Sequence, residues 1–122
     1  MQRALLPARQ LIPEGQVADS MRSMTPAAIT QRAREATEAS AESLAQYAVD
    51  PALPVRMVVA QRTDIPEQVC RRLAQDPAPE VRASVLVAGA PLPVLRELTF
   101  DHHPGVANVA RHMYASTLAP DR

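Results

Sequence analysis

Apolar residues in the second half of the chain fall in short runs at helical spacing. Val55 and Val59 form one such run, Val81, Val85 and Leu86 the next, and Val106 with Ala110 a third. Between them lie two further stripes, Val69, Cys70 and Leu73, then Val94, Leu95 and Leu98. Pro or Asp bounds each run. This pattern predicts pairs of short helices, each started or stopped by Pro.

The runs recur at a fixed offset. Asp50, Asp76 and Asp101 stand 26 and 25 residues apart. Val55, Val81 and Val106 follow them by five residues, and Val59, Val85 and Ala110 by nine. Pro66 to Asp76 overlies Pro91 to Asp101, with Val69 on Val94, Cys70 on Leu95 and Leu73 on Leu98. The units run over about 50–75, 76–100 and 101–118. Asp76 reads as the cap of the helix that follows it. A helix of ~8–10 residues is marginal alone. Stacking one unit on the next hides both stripes.

A polar signature follows the same period. Arg56 comes six residues after Asp50, and Arg82 six after Asp76. Asp50, Arg56, Asp76 and Arg82 therefore read as a structural ladder bridging neighbouring units. Ala107 takes the equivalent place after Asp101, so the ladder ends there.

The stretch Leu73-Ala-Gln-Asp-Pro-Ala-Pro-Glu-Val-Arg82-Ala-Ser-Val85 resembles the leucine-rich repeat variant and, more loosely, HEAT-like repeats. The resemblance covers roughly residues 44–118 and rests on the Asp-Pro-x-x-x-Val-Arg pattern. It implies an α-solenoid, built from helix pairs or from α-helices alternating with 3₁₀ turns. The short period fits the variant type better than HEAT units of about 40 residues. Some members of that family carry an iron–sulfur cluster on an N-terminal cysteine-rich segment. This chain lacks those cysteines, so no cluster is expected. The fold class expected is all-α, a short right-handed α-solenoid with an N-terminal capping helix.

Residues 1–25, with Pro7, Pro13 and Gly15, read as an extended arm or loosely docked strap. Thr25 is placed to cap a helix with Pro26 at its first position. Ile29, Ala33, Ala36, Ser40, Leu44 and Tyr47 keep helical spacing, predicting one longer capping helix over 26–48. The repeat domain as a whole spans 26–122. At the other end Val106, Val109, Met113 and Leu118 have no following unit to cover them. That end is expected to meet a partner or a second copy of the chain.

Composition narrows the function. The 122 residues make one domain, and 22 of the apolar residues are Ala. There is no Trp, one Phe and two Tyr, which favours helix over sheet. All thirteen basic residues are Arg, balanced by thirteen acidic ones, so a strongly cationic nucleic-acid binder is disfavoured. One cysteine excludes an intrachain disulfide framework. No apolar run nears the ~18 residues of a membrane span. The apolar start is too short for a signal peptide. A cytoplasmic protein is expected.

Candidate chemistry is sparse. No catalytic lysine, phosphate loop or nucleophile elbow is present. His102, His103 and His112 read as surface or capping residues, with no metal expected. Cys70 sits on an apolar stripe and reads as an inert thiol. Arg71 and Arg96 hold the same place in successive units, with Arg62 and Arg72 nearby. They form a candidate exposed row for acidic protein patches or phosphates. The expected function is a non-catalytic, cofactor-free interaction module. It would bind a larger protein through Arg62, Arg71, Arg72, Arg96, Val109 or Met113. The alternative is nucleic-acid binding through the arginine row.

Overall fold

The computed structural model describes residues 24–118. The arm expected over residues 1–25 lies outside them except for Met24 and Thr25, as do residues 119–122. Among the described residues the chain is all-helical, with no strand. Its helices are α1 (Pro26–Glu38), α2 (Leu44–Ala48), α3 (Leu53–Ala60), α4 (Glu67–Leu73), α5 (Pro79–Gly89), α6 (Leu92–Leu98) and α7 (Pro104–Leu118). A 3₁₀ turn, Ala41–Ser43, leads into α2.

The starts follow the predicted chemistry with one change. The Thr25 hydroxyl accepts the Ala28 N–H at 3.2 Å, and Pro26 occupies the first turn of α1. Asp76, expected to cap α5, stands two residues before the true N-cap, Ala78. It acts from there, its carboxylate accepting the Ala78 N–H at 2.9 Å. Asp50 does the same for Ala52 before α3. The Asp-Pro dipeptide thus forms a short carboxylate-braced turn ahead of the helix.

The capping helix expected over 26–48 is not one helix. It stops at Glu38, and Ala39 and Ser40 are extended before the chain re-enters helix. Arg62 explains the stop. Its Nη1 donates to the carbonyls of Ala36 at 2.9 Å and Ala39 at 2.6 Å, satisfying acceptors that a helix end leaves bare. The break lets Ala36, Leu44 and Ala48 all enter the core. A straight helix over that span would stretch ~33 Å and carry part of its stripe past any neighbour. After the break, Leu44 stands six residues before Asp50, as Cys70 does before Asp76 and Leu95 before Asp101, and all three side chains are buried.

Packing proceeds along the chain by alternate helices. α1 lies against α3, α3 against α5, and α5 against α7, while α2 touches α3 and α4, and α6 packs on α7. Val55, Val81 and Val106 are buried at the start of α3, α5 and α7, and Val59, Val85 and Ala110 one turn further on. Leu44, Leu73 and Leu86 are the largest side chains fully removed from water. Each contributes about 1.5–3 kcal/mol of hydrophobic stabilisation. Gly89 ends α5 at φ 101°, a left-handed conformation that suits glycine.

Candidate functional site

Three arginine–aspartate pairs run along one edge of the molecule. Arg32 Nε lies 2.7 Å from Asp50 Oδ2, Arg56 Nε 2.7 Å from Asp76 Oδ2, and Arg82 Nε 2.7 Å from Asp101 Oδ2. A second bond from Nη2 to Oδ1 makes each pair bidentate, at 3.0, 3.2 and 2.9 Å. Each Oδ1 also accepts the backbone N–H two residues on, that of Ala52, Ala78 or His103.

The pairs are joined in series. Arg56 Nη1 donates to the Asp50 carbonyl at 3.0 Å while its other nitrogens hold Asp76. Arg82 Nη1 donates to the Asp76 carbonyl at 2.6 Å while holding Asp101. Each arginine therefore clamps its own Asp-Pro turn to the next one. Arg32 adds a rung at the beginning that the six-residue spacing does not reveal, because no Asp precedes it by six. Its partner Asp50 lies eighteen residues downstream. After Asp101, α7 supplies Ala107, and the series ends.

Burial and charge compete at these carboxylates. Desolvation pushes Asp50 upward, but the bond from Arg32, the Ala52 N–H and the charges of Arg32 and Arg56 outweigh it. Its pKa falls below the usual carboxylate value. Asp101 behaves likewise. Burial raises it, and Arg82, the His103 N–H and the nearby His102 bring it down overall. The Arg82–Asp101 pair is the most enclosed, with both side chains 5% exposed, against 21% for Arg32 at the opposite end.

The turns hold an exposed row. The residue before each aspartate, Val49, Gln75 or Phe100, points to solvent. Phe100, the single Phe of the chain, is 80% exposed, and Val49 is 50% exposed. Because Arg56 and Arg82 tie consecutive turns together, these three positions follow one another along the same edge. Between the first two turns and α4 lies a groove of about 680 Å³. Val49, Pro51 and Pro77 supply apolar wall, and Gln68, Gln75, Arg71 and Arg72 supply polar wall. A smaller depression of about 400 Å³ lies between the ends of α3 and α5, beside Val87 and Ser84. The Ser84 hydroxyl is engaged by the Glu80 carbonyl at 2.9 Å.

The sequence-derived candidates separate into different settings. Arg62 is not on an exposed row. It is 16% exposed, bonded to the carbonyls that close α1 and to Asp64 Oδ1 at 2.9 Å. Arg71 is half-exposed and paired with Glu67, Nη2 to Oε2 at 2.6 Å. Arg72 and Arg96 are exposed and make no ion pair with the described residues. On α7, Val109 and Leu118 are exposed, but Val106 is buried and Met113 packs partly against the core. The uncovered apolar end is therefore smaller than the bare sequence implies, because α7 lies across both α5 and α6.

The cysteine and the histidines fall in different settings. Burial, then the Glu67 charge, push the Cys70 thiol up against a smaller opposing effect of Arg71. That disfavours a thiolate nucleophile. His103 Nδ1 accepts the N–H groups of Gly105 at 3.2 Å and Val106 at 3.4 Å, capping α7. His102 is 88% exposed. Among the described residues no three His, Cys, Asp or Glu side chains gather as a metal site. Nor, among them, is any helix long and apolar enough to cross a membrane. Spacing of apolar positions does not single out Arg32 or the exposed residues Val49, Gln75 and Phe100; the last three share only a register, the slot before each aspartate.

Comparison with models of known protein families, with curated proteins and with solved structures finds no match to this chain.

Proposed function

We propose that this chain is a short right-handed α-solenoid of leucine-rich-variant or HEAT-like units. On this reading it acts as a non-catalytic, cytoplasmic protein-interaction module, an adaptor, inhibitor or regulatory subunit of a larger partner. The recurrent clamped turns and the alternate-helix packing support the solenoid reading. The observation that carries the binding reading is Phe100. An aromatic side chain 80% exposed on a braced turn costs solvation and contributes little to the core. Rigid aromatic side chains of this kind are the usual anchors of protein interfaces.

The arginines favour protein over nucleic acid. Nucleic-acid binding of useful strength takes several phosphate contacts, ~6–10 in strongly salt-dependent cases. Of the four arginines in that reading, Arg62 and Arg71 already hold carboxylates, which leaves Arg72 and Arg96.

The test is affinity purification of the tagged chain from its native cells, alongside Phe100→Ser. A stoichiometric protein partner is expected, retained at about 0.5 M salt, where Coulomb attraction at an exposed surface is screened within a few ångströms. Phe100→Ser should weaken its capture by roughly tenfold or more while leaving the helical spectrum unchanged. Capture of nucleic acid alone, or of no stoichiometric partner, contradicts the reading.

A further inference from the structure

We infer that the groove between the Asp50 and Asp76 turns and α4 is the docking site for an extended, acidic segment of a partner protein. The inference rests on the protein-binding reading above and names the partner chemistry. The groove is open to solvent, with a volume of about 680 Å³, a shape that suits an extended chain laid along it rather than an enclosed small molecule.

The wall chemistry selects the occupant. Gln68 and Gln75 present amides able both to donate to and accept from a peptide main chain. Val49, Pro51 and Pro77 offer apolar contact between them. The groove lining holds three arginines against two aspartates. Both aspartates are consumed, Asp50 by Arg32 and the Ala52 N–H, Asp76 by Arg56 and the Ala78 N–H. Of the arginines, Arg56 is committed to Asp76 in a largely covered pair, and Arg71 is neutralised by Glu67 in an exposed i,i+4 pair. Arg72 alone has no carboxylate partner among the described residues, and it faces the groove.

One available guanidinium suits one carboxylate, which it can grip through two parallel hydrogen bonds. A polyphosphate backbone would need a series of such cations, and the groove does not hold one. The occupant is therefore a peptide with an acidic residue set beside apolar ones.

The test pans a displayed random-peptide library on the purified full chain, and titrates the recovered peptides into ¹⁵N-labelled protein. Oligouridylate and inorganic phosphate serve as comparison probes. Recovered peptides should carry Asp or Glu and shift the amides of Val49, Gln68 and Gln75. Arg72→Glu should weaken them by about tenfold or more, as loss of a charge-assisted bidentate bond with reversal of charge predicts. Gln75→Trp, which fills the groove without touching a charge, should weaken them too. Both positions are exposed, so melting temperatures should match the parent's.

Peptides without acidic bias, or acidic peptides that bind both variants as well as the parent, overturn the inference. So does oligouridylate or phosphate binding more tightly than the peptides through Arg72. If peptide selection fails while a protein partner is still captured through Phe100, the groove assignment falls and the interaction-module reading stands. If partner capture fails as well, both fall.

Discussion

At the residue scale, stability concentrates where a charge is both enclosed and held by a single partner. Asp101→Ala leaves Arg82 with its guanidinium facing an empty position and only a carbonyl for company. At 5% exposure, that unpaired charge should cost about 3–5 kcal/mol. Asp50→Ala leaves Arg32, which is four times more exposed and can turn to water, so the loss should be smaller, ~1–2 kcal/mol. Urea titration of the two variants checks the order; equal losses would contradict it. The same groups set the acid limit. Asp50 and Asp101 have folded pKa values below their unfolded ones. The unfolded chain therefore binds more protons as pH drops below ~4, and stability falls with it. Their contribution is fully present above the unfolded value and lost as pH falls through the lowered folded values. Asp101→Asn removes one titrating group, so the acid limb of a stability-versus-pH curve should become shallower.

At the element scale, the break after α1 shows where a chain pattern stops being legible. The second and third helix pairs are punctuated by Pro66 and Pro91, and sequence places α4 and α6 well. The equivalent slot before α2 holds Ser40, with Ala on both sides and no Gly or Pro nearby. Local propensity there favours continuous helix. The decision is tertiary, made by Arg62, which lies more than twenty residues away and supplies the donors that end α1. Leu44, Ala48 and Asp50 sit at the same intervals as Cys70, Ala74 and Asp76, which is the signal that predicts the break. Arg62→Ala should cost about 1–3 kcal/mol, because two carbonyls lose their donor at a partly covered helix end. Amide exchange should quicken across residues 36–48 and leave α5 and α6 unchanged. Uniform quickening throughout would argue against a local role.

At the scale of the whole molecule, the apolar spacing located the core residues of α3 to α6 and the all-helical class, because each buried position depends on its own helix face. It could not identify the edge. Exposed residues such as Val49, Gln75 and Phe100 obey no burial pattern, and their alignment arises from clamps between turns rather than from anything local. Arg62 shows the converse, a residue that reads as surface until the fold brings α1 over it. Arg56–Asp76 and Arg82–Asp101 hold consecutive turns in register, and Arg32–Asp50 ties α1 to the first of them, so that the edge behaves as one rigid surface. A double-mutant cycle on Arg82 and Asp101, read by urea unfolding, tests this most directly. Arg82→Ala, Asp101→Ala and the double variant should give a coupling of about 1–3 kcal/mol, the double variant being less damaged than the sum of the singles. Additive losses would mean that the pair does not lock one turn to the next.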